Sequence, residues 1–133
     1  MSIQIVPNRK ILKFAASATS PIADTVATAL TNNIGTDKAD MSLRDSYQIQ
    51  GSVISDVAGN LHIYQGFSKP DGTVVWTTVD VVAVSASTFS GGVFTTVTGN
   101  TKVKIDAVGE VCKADFTPSS TGTNNFYCGL WCR

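Results

Sequence analysis

The chain has 133 residues, ten cationic and ten anionic side chains, one histidine and a net charge of zero. That length sets a prior of one domain whose core stands without metals or disulfides, and an apolar content of 43% excludes a disordered polymer. Charged residues are only 15% and cancel, which argues against phosphate-driven binding of nucleic acid, and no apolar run reaches the roughly 20 residues of a membrane span.

Val and Thr together supply 31 residues and Ser another 13, whereas Glu110 is the lone glutamate. Strong helix formers are scarce and β-branched residues abound, so strands are expected. The N-terminus lacks a basic stretch followed by an apolar one, so a secretory leader is not expected and synthesis in a cytoplasm is.

In chain order, Ile3 and Ile5 alternate with polar neighbours, and residues 11–16 form a short apolar run. Arg9, Lys10 and Lys13 stand beside Ile11, Leu12 and Phe14, so residues 1–20 read either as a candidate N-terminal interaction arm or as the first strand of the fold. Residues 21–133 then form a single β-sandwich domain. Over residues 20–31, Ser20 and Pro21 resemble a helix start, yet Ile22, Val26 and Leu30 also share a strand face; with Thr25 and Thr28 the balance tips to strand. Residues 31–42 read as a loop.

From Tyr47 the pattern sharpens. Tyr47, Ile49, Gly51 and Val53 share one face. Residues 55–60 are turn chemistry, with Gly59 and Asn60 suited to positive φ. Leu61, Ile63 and Gln65 then alternate with His62, Tyr64 and Gly66, which predicts a hairpin with the preceding strand. Lys69-Pro70-Asp71-Gly72 is a second turn, followed by a long β run from Val74 to Val84. Gly91-Gly92 interrupts, Val93 resumes, and Gly99-Asn100 turns again. Lys102, Lys104 and Asp106 are expected to face water while Val103, Ile105 and Ala107 face inward. Residues 111–116 and 126–131 close the chain. Short strands with turns every 8–12 residues predict an all-β, antiparallel β-sandwich or barrel, of which the sandwich is taken as the expectation.

Three cysteines, Cys112, Cys128 and Cys132, cannot all pair within one chain. On one strand Cys128 and Cys132 lie about 13 Å apart, too far to bond; a bond from Cys112 to either is sterically open, and reduced, partly buried thiols are the expectation. Zinc would need a fourth ligand, and His62 is the lone histidine. No metal, cofactor or catalytic residue is therefore assigned. His62 sits mid-strand and reads as a surface or interface residue. Asp56 and Asp71 are explained by the turns they open. Gly91-Gly92 lacks the helix and Lys of a phosphate loop. Tyr64, Phe67 and Trp76 suit either a sugar-binding face or ordinary packing.

The segment 47–76 resembles small β-sandwich virion proteins of tailed bacteriophages. The pattern is Gly-x-Val-x-Ser-Asp, Gly-x-Leu-x-Ile-x-Gln, then Asp-Gly and a Trp. Here it falls on Gly51, Val53, Ser55, Asp56, Gly59, Leu61, Ile63, Gln65, Asp71, Gly72 and Trp76. Lys102-Val103-Lys104-Ile105-Asp106 matches a later basic strand more loosely. The chain departs from the family in its Cys-bearing tail, residues 126–133, and in its long N-terminal segment. The resemblance implies a jelly-roll or related sandwich, often trimeric, that serves as a non-enzymatic capsid decoration or other virion component. Its implied partners are copies of itself and the major capsid protein or other virion proteins, and its implied location is the virion after synthesis in the host cytoplasm. A tail or baseplate part and a module binding host glycans are the alternatives.

Overall fold

Apolar residues at every second position leave these segments one way to hide their side chains, as strands with one face turned inward. A computed structural model describes residues 11–16, 28–29, 31–32, 40–95, 101–119 and 125–133. Every regular element among them is a strand: β1 (Ile11–Ala16), β2 (Thr28–Ala29), β3 (Thr31–Asn32), β4 (Asp40–Ser42), β5 (Gln48–Ser55), β6 (Gly59–Ser68), β7 (Val74–Val84), β8 (Phe89–Ser90), β9 (Val93–Phe94), β10 (Thr101–Asp106), β11 (Val111–Pro118) and β12 (Phe126–Cys132). Strict alternation of buried and half-buried residues along β5 and β11 carries the sequence pattern into the fold.

Two five-stranded sheets pack face to face. One has the order β10-β5-β12-β1-β3; the other runs β2-β11-β6-β7, with β4 also paired to β11. The antiparallel pairs are nested. Innermost is β6 with β7, then β5 with β10, then β2 and β4 with β11, and outermost β1 with β12, which places Ile11 opposite Trp131. This is one long hairpin wound over itself into two sheets, the jelly-roll wiring, and it agrees with the expected antiparallel sandwich.

Between the sheets lie Met41, Ile49, Val53, Leu61, Ile63, Phe116, Phe126 and Leu130, all essentially inaccessible to solvent. Phe116 and Phe126 stack across the interior at 4.3 Å. Each such side chain contributes about 1.5–3 kcal/mol by leaving water.

The segment around residues 55–60 differs from the expected hairpin. β5 pairs with β10 and β12, β6 pairs with β7 and β11, so the turn is an arch that carries the chain from one sheet to the other. Both strands have an apolar face to bury, and facing each other across the core satisfies both. Ser55 Oγ accepts the Val57 amide at 3.1 Å and tightens the arch. Gly59 is not a positive-φ residue; φ is positive at Asp45, Gly72, Gly91 and Gly92 among the described residues. Gly59 is required for space, because a Cβ there would stand 2.5 Å from the Thr117 carbonyl oxygen and 2.6 Å from the Phe116 ring.

Other differences are smaller. Residues 31–42 are not wholly a loop: Thr31–Asn32 and Asp40–Ser42 are strands, and Met41 is fully buried. Tyr47 precedes its strand and is 64% exposed, whereas Ile49, Gly51 and Val53, expected to share its face, are buried. Gly91-Gly92 is the two-residue turn of a small hairpin, with φ of +61° and +82° as a type I′ turn demands. Asp71-Gly72 turns as expected, with Asp71 Oδ1 accepting both the Thr73 amide and its hydroxyl. Val103 is buried while Lys102, Lys104 and Asp106 are exposed, as the alternation predicts. Of residues 20–31, those described at 28–29 and 31 are strand; the Gly99-Asn100 turn lies outside the described residues.

Residues 11–16, within the segment read as arm or first strand, pair with β12 on one side and β3 on the other. Residues 1–10 and 17–20 lie outside the described residues. A chain lacking residues 1–16 is expected to lose cooperative thermal unfolding, because β12 is stripped of a neighbour along six residues. Circular dichroism with a thermal scan checks this; an unchanged melting temperature would place β1 outside the folding unit.

Candidate functional site: the outer face of the β11-β6-β7 sheet

The inner faces of β11 and β6 are buried in the core, so the solvent-facing side chains of these two strands lie on the outer face. There β6 places His62 and Tyr64, with Asp115 and Lys113 of β11 as their direct cross-strand partners. A bulge at Gln65/Gly66 lets β7 slip by one residue, pairing Gln65 with Thr78 but Gly66 with Trp76. Thr77 is the inserted residue, and its hydroxyl reaches the Gln65 carbonyl at 3.3 Å. Without that slip Trp76 would share the inner face with Thr78; with it, Trp76 turns outward beside Tyr64.

The result is a cation held between two rings. Lys113 Nζ lies 4.6 Å from the Trp76 ring centre and 5.0 Å from that of Tyr64. Such contacts are worth about 0.5–1 kcal/mol at an exposed site. His62 stacks on Tyr64 at 6.3 Å, and its Nδ1 lies 3.1 Å from Asp115 Oδ1, without the alignment of a hydrogen bond. Burial, and then the Asp115 carboxylate, push the Tyr64 phenol above its ordinary value. Asp40, Thr73, Val74, Trp76, Lys113 and Asp115 line an open groove of about 510 Å³. The groove offers an indole, an ammonium and two carboxylates. Phe67 lies beyond the bulge on the opposite parity and takes no part.

The thiols are elsewhere. Cys112 on β11 and Cys128 and Cys132 on β12 are free and buried, and β11 and β12 belong to facing sheets rather than neighbouring strands. Burial pushes the Cys112 thiol up to about 12, with lesser contributions from Cys132 and Asp40; burial alone does the same for Cys128. Cys132 Sγ donates to the Ser42 carbonyl at 3.7 Å. Thiolates are the reactive form, so Cys112 and Cys128 are poor nucleophiles. Cys112 faces the core and His62 faces solvent on the same sheet, so the imidazole does not activate it. Among the described residues no three His, Cys, Asp or Glu side chains converge as metal ligands would, and no helix is long and apolar enough to cross a membrane.

Of the residues singled out from sequence, His62, Tyr64 and Trp76 come together and Phe67 does not. Lys113 and Asp115 were not foreseen. Their alternation along β11 marked them as outward-facing, but only the β6–β11 register assigns their partners. Comparison with protein-family models, curated proteins and solved structures finds no match to this chain.

The thiols carry a pH dependence whose sign follows from their shifts. In the unfolded chain they titrate near the ordinary 9.0, and in the folded protein Cys112 and Cys128 titrate near 12. Between those values the unfolded state gives up protons that the folded state keeps, so stability is full below about pH 9 and falls as pH rises toward 12. Tyr64 acts in the same sense above 10.0. Urea midpoints are therefore expected to fall steadily above pH 9. A thiol reagent at pH 8 should leave Cys112 and Cys128 untouched in the native protein and label them once urea is added. Rapid native labelling of either, or a flat midpoint, would contradict the buried placement.

Proposed function

We propose that this chain is a structural protein of a bacteriophage particle, most directly a decoration protein that binds the assembled capsid and stabilises it. Binding to the lattice but not to its free subunits favours assembly by mass action, with no chemical step. In this reading the protein acts as a homo-oligomer, with the trimer that the family resemblance implies as the leading form, and its partners are the major capsid protein or other virion proteins. A tail or baseplate position would rest on the same surfaces.

Jelly rolls serve both capsids and lectins, so the wiring alone does not choose between an assembly protein and a glycan-binding module. The observation that favours assembly is β7. Residues 77–81 are five consecutive exposed residues, and Val79 and Val81 are 51% and 58% exposed. A strand open on both faces and rich in valine is a surface that association would cover. The glycan reading draws on Trp76 in its groove. There the Lys113 ammonium already stands 4.6 Å over the ring, where a sugar would stack, so a glycan must first displace it.

Mass spectrometry of purified particles from the source of this chain tests the proposal. The chain is expected as a stoichiometric component, and particles without it should release their genome at lower temperature. Its absence from particles would reject the reading, and retention on a glycan array abolished by Trp76→Ala would favour the module instead.

A further inference from the structure

The sheet edges are protected unequally. β2 and β3 are edge strands of two residues each, too short to template another chain. β10 is the edge of its sheet and presents Lys102 and Lys104 to solvent, a charged guard against pairing. β7 is the exception. It runs for 11 residues, Val-Val-Trp-Thr-Thr-Val-Asp-Val-Val-Ala-Val, and Asp80 is its one charge. It ends its sheet, and no described strand pairs with its outer edge. Both Thr78 and Asp80 on one face and Val79 and Val81 on the other are exposed. Among the described residues nothing pairs with the outer edge of this 11-residue strand, and Asp80 is the one charge beside its six valines, so its flank is open.

We propose that β7 pairs antiparallel with β7 of a second copy of this chain, across a twofold axis at Val79, so that the two β2-β11-β6-β7 sheets become one continuous sheet. The inference deepens the assembly reading above and names its first contact. The strand can pair with its own copy, and its one charge constrains the register. A twofold at Asp80 would set two carboxylates directly opposite each other, which is destabilising. A twofold at Val79 sets Val79 against Val79, Thr77 against Val81, and Asp80 against Thr78, whose hydroxyl can donate to the carboxylate. The register is self-complementary, as an isologous contact requires, and it spans the residues that are open on both faces. A twofold contact yields a dimer, so it departs from the trimer that the family resemblance implies.

Sedimentation velocity on the full chain from about 1 to 100 µM tests it. A concentration-dependent dimer is expected. The exposed pair Val79→Lys with Val81→Lys should weaken association at least about tenfold, since it imposes on β7 the guard that β10 carries. The register is read separately by cysteine substitution. Val79→Cys is expected to form an intermolecular disulfide under mild oxidation, because residues that face themselves across such an axis have Cα atoms about 5 Å apart. Thr73→Cys, in the exposed turn before β7, should not. A monomer throughout the range, a trimer indifferent to the lysines, or equal cross-linking of the two cysteine variants would overturn the pairing. A chain found on particles yet monomeric in solution would sink this contact and leave the decoration reading intact; a β7 dimer absent from particles would do the reverse.

Discussion

One buried side chain ties the roll together. Gln65 is 1% exposed, on the inner face of β6 among residues that are otherwise apolar. Its Nε2 donates to the Asp106 carbonyl at 2.9 Å, and its Oε1 accepts the amides of Val108 at 2.8 Å and Gly109 at 3.2 Å. Those three backbone groups belong to the segment that crosses from β10 in one sheet to β11 in the other. A crossing segment has no ladder partner, and its buried polar groups must find one or cost about 1–3 kcal/mol each. Gln65 supplies a donor and an acceptor in the right places and is itself satisfied in the process. The same crossing is held from outside by the Glu110 amide donating to the Gly66 carbonyl at 2.8 Å and the Ala107 amide donating to the Tyr47 carbonyl at 2.9 Å.

The other end of the sandwich solves the same problem with Asp56. Its carboxylate accepts the Asn125 amide at 2.9 Å and the Asn125 side-chain NH₂ at 2.7 Å, while its own amide donates to the Asn125 carbonyl at 3.1 Å. The Ala58 carbonyl accepts both the amide and the hydroxyl of Ser119. Crossings in a wound hairpin come in pairs, because the two arms cross together. The arch of residues 56–58 lies beside the approach to β12, and the link from β4 to β5 lies beside the link from β10 to β11, where the Leu43 amide donates to the Glu110 carbonyl at 2.7 Å. The sequence pattern of residues 51–76 therefore has structural work at most of its positions: Ser55 and Asp56 at the arch, Gly59 against Phe116, Leu61 and Ile63 in the core, Gln65 at the crossing, Asp71 and Gly72 in the turn. Its content is a way of building a roll, and the proposed role on a particle draws on the open flank as well.

Much of this was legible in the chain. Alternation in residues 48–55, 102–107 and 111–116 is local, period two, and carries over directly. Arch against hairpin was not legible, since Ser-Asp-x-x-Gly serves either and the choice depends on strands β10, β11 and β12, far along the chain. Gly59 read as a conformational glycine and is a spatial one, because the Phe116 ring that crowds it is unseen in sequence. The Trp76 site depends on a one-residue slip at Thr77, which no local signal announces within a uniform Val/Thr run. Asp40 stands far along the chain from Lys113 and Asp115, and only the strand register brings the three round one groove.

Gln65 closes the roll through its amide rather than by filling space. Urea unfolding of Gln65→Leu and Gln65→Glu, each at neutral pH and near pH 5, measures this directly. Leucine is close in size and should still lower stability by about 1–3 kcal/mol, since it leaves the Asp106 carbonyl and the Val108 and Gly109 amides without their partner. Glutamate keeps the acceptor for Val108 and Gly109 but, when ionised, faces the Asp106 carbonyl with oxygen. It should be unstable at neutral pH and recover toward wild type as acid restores a donor. A leucine variant as stable as wild type, or a glutamate variant indifferent to pH, would show that the Gln65 amide does not hold the crossing.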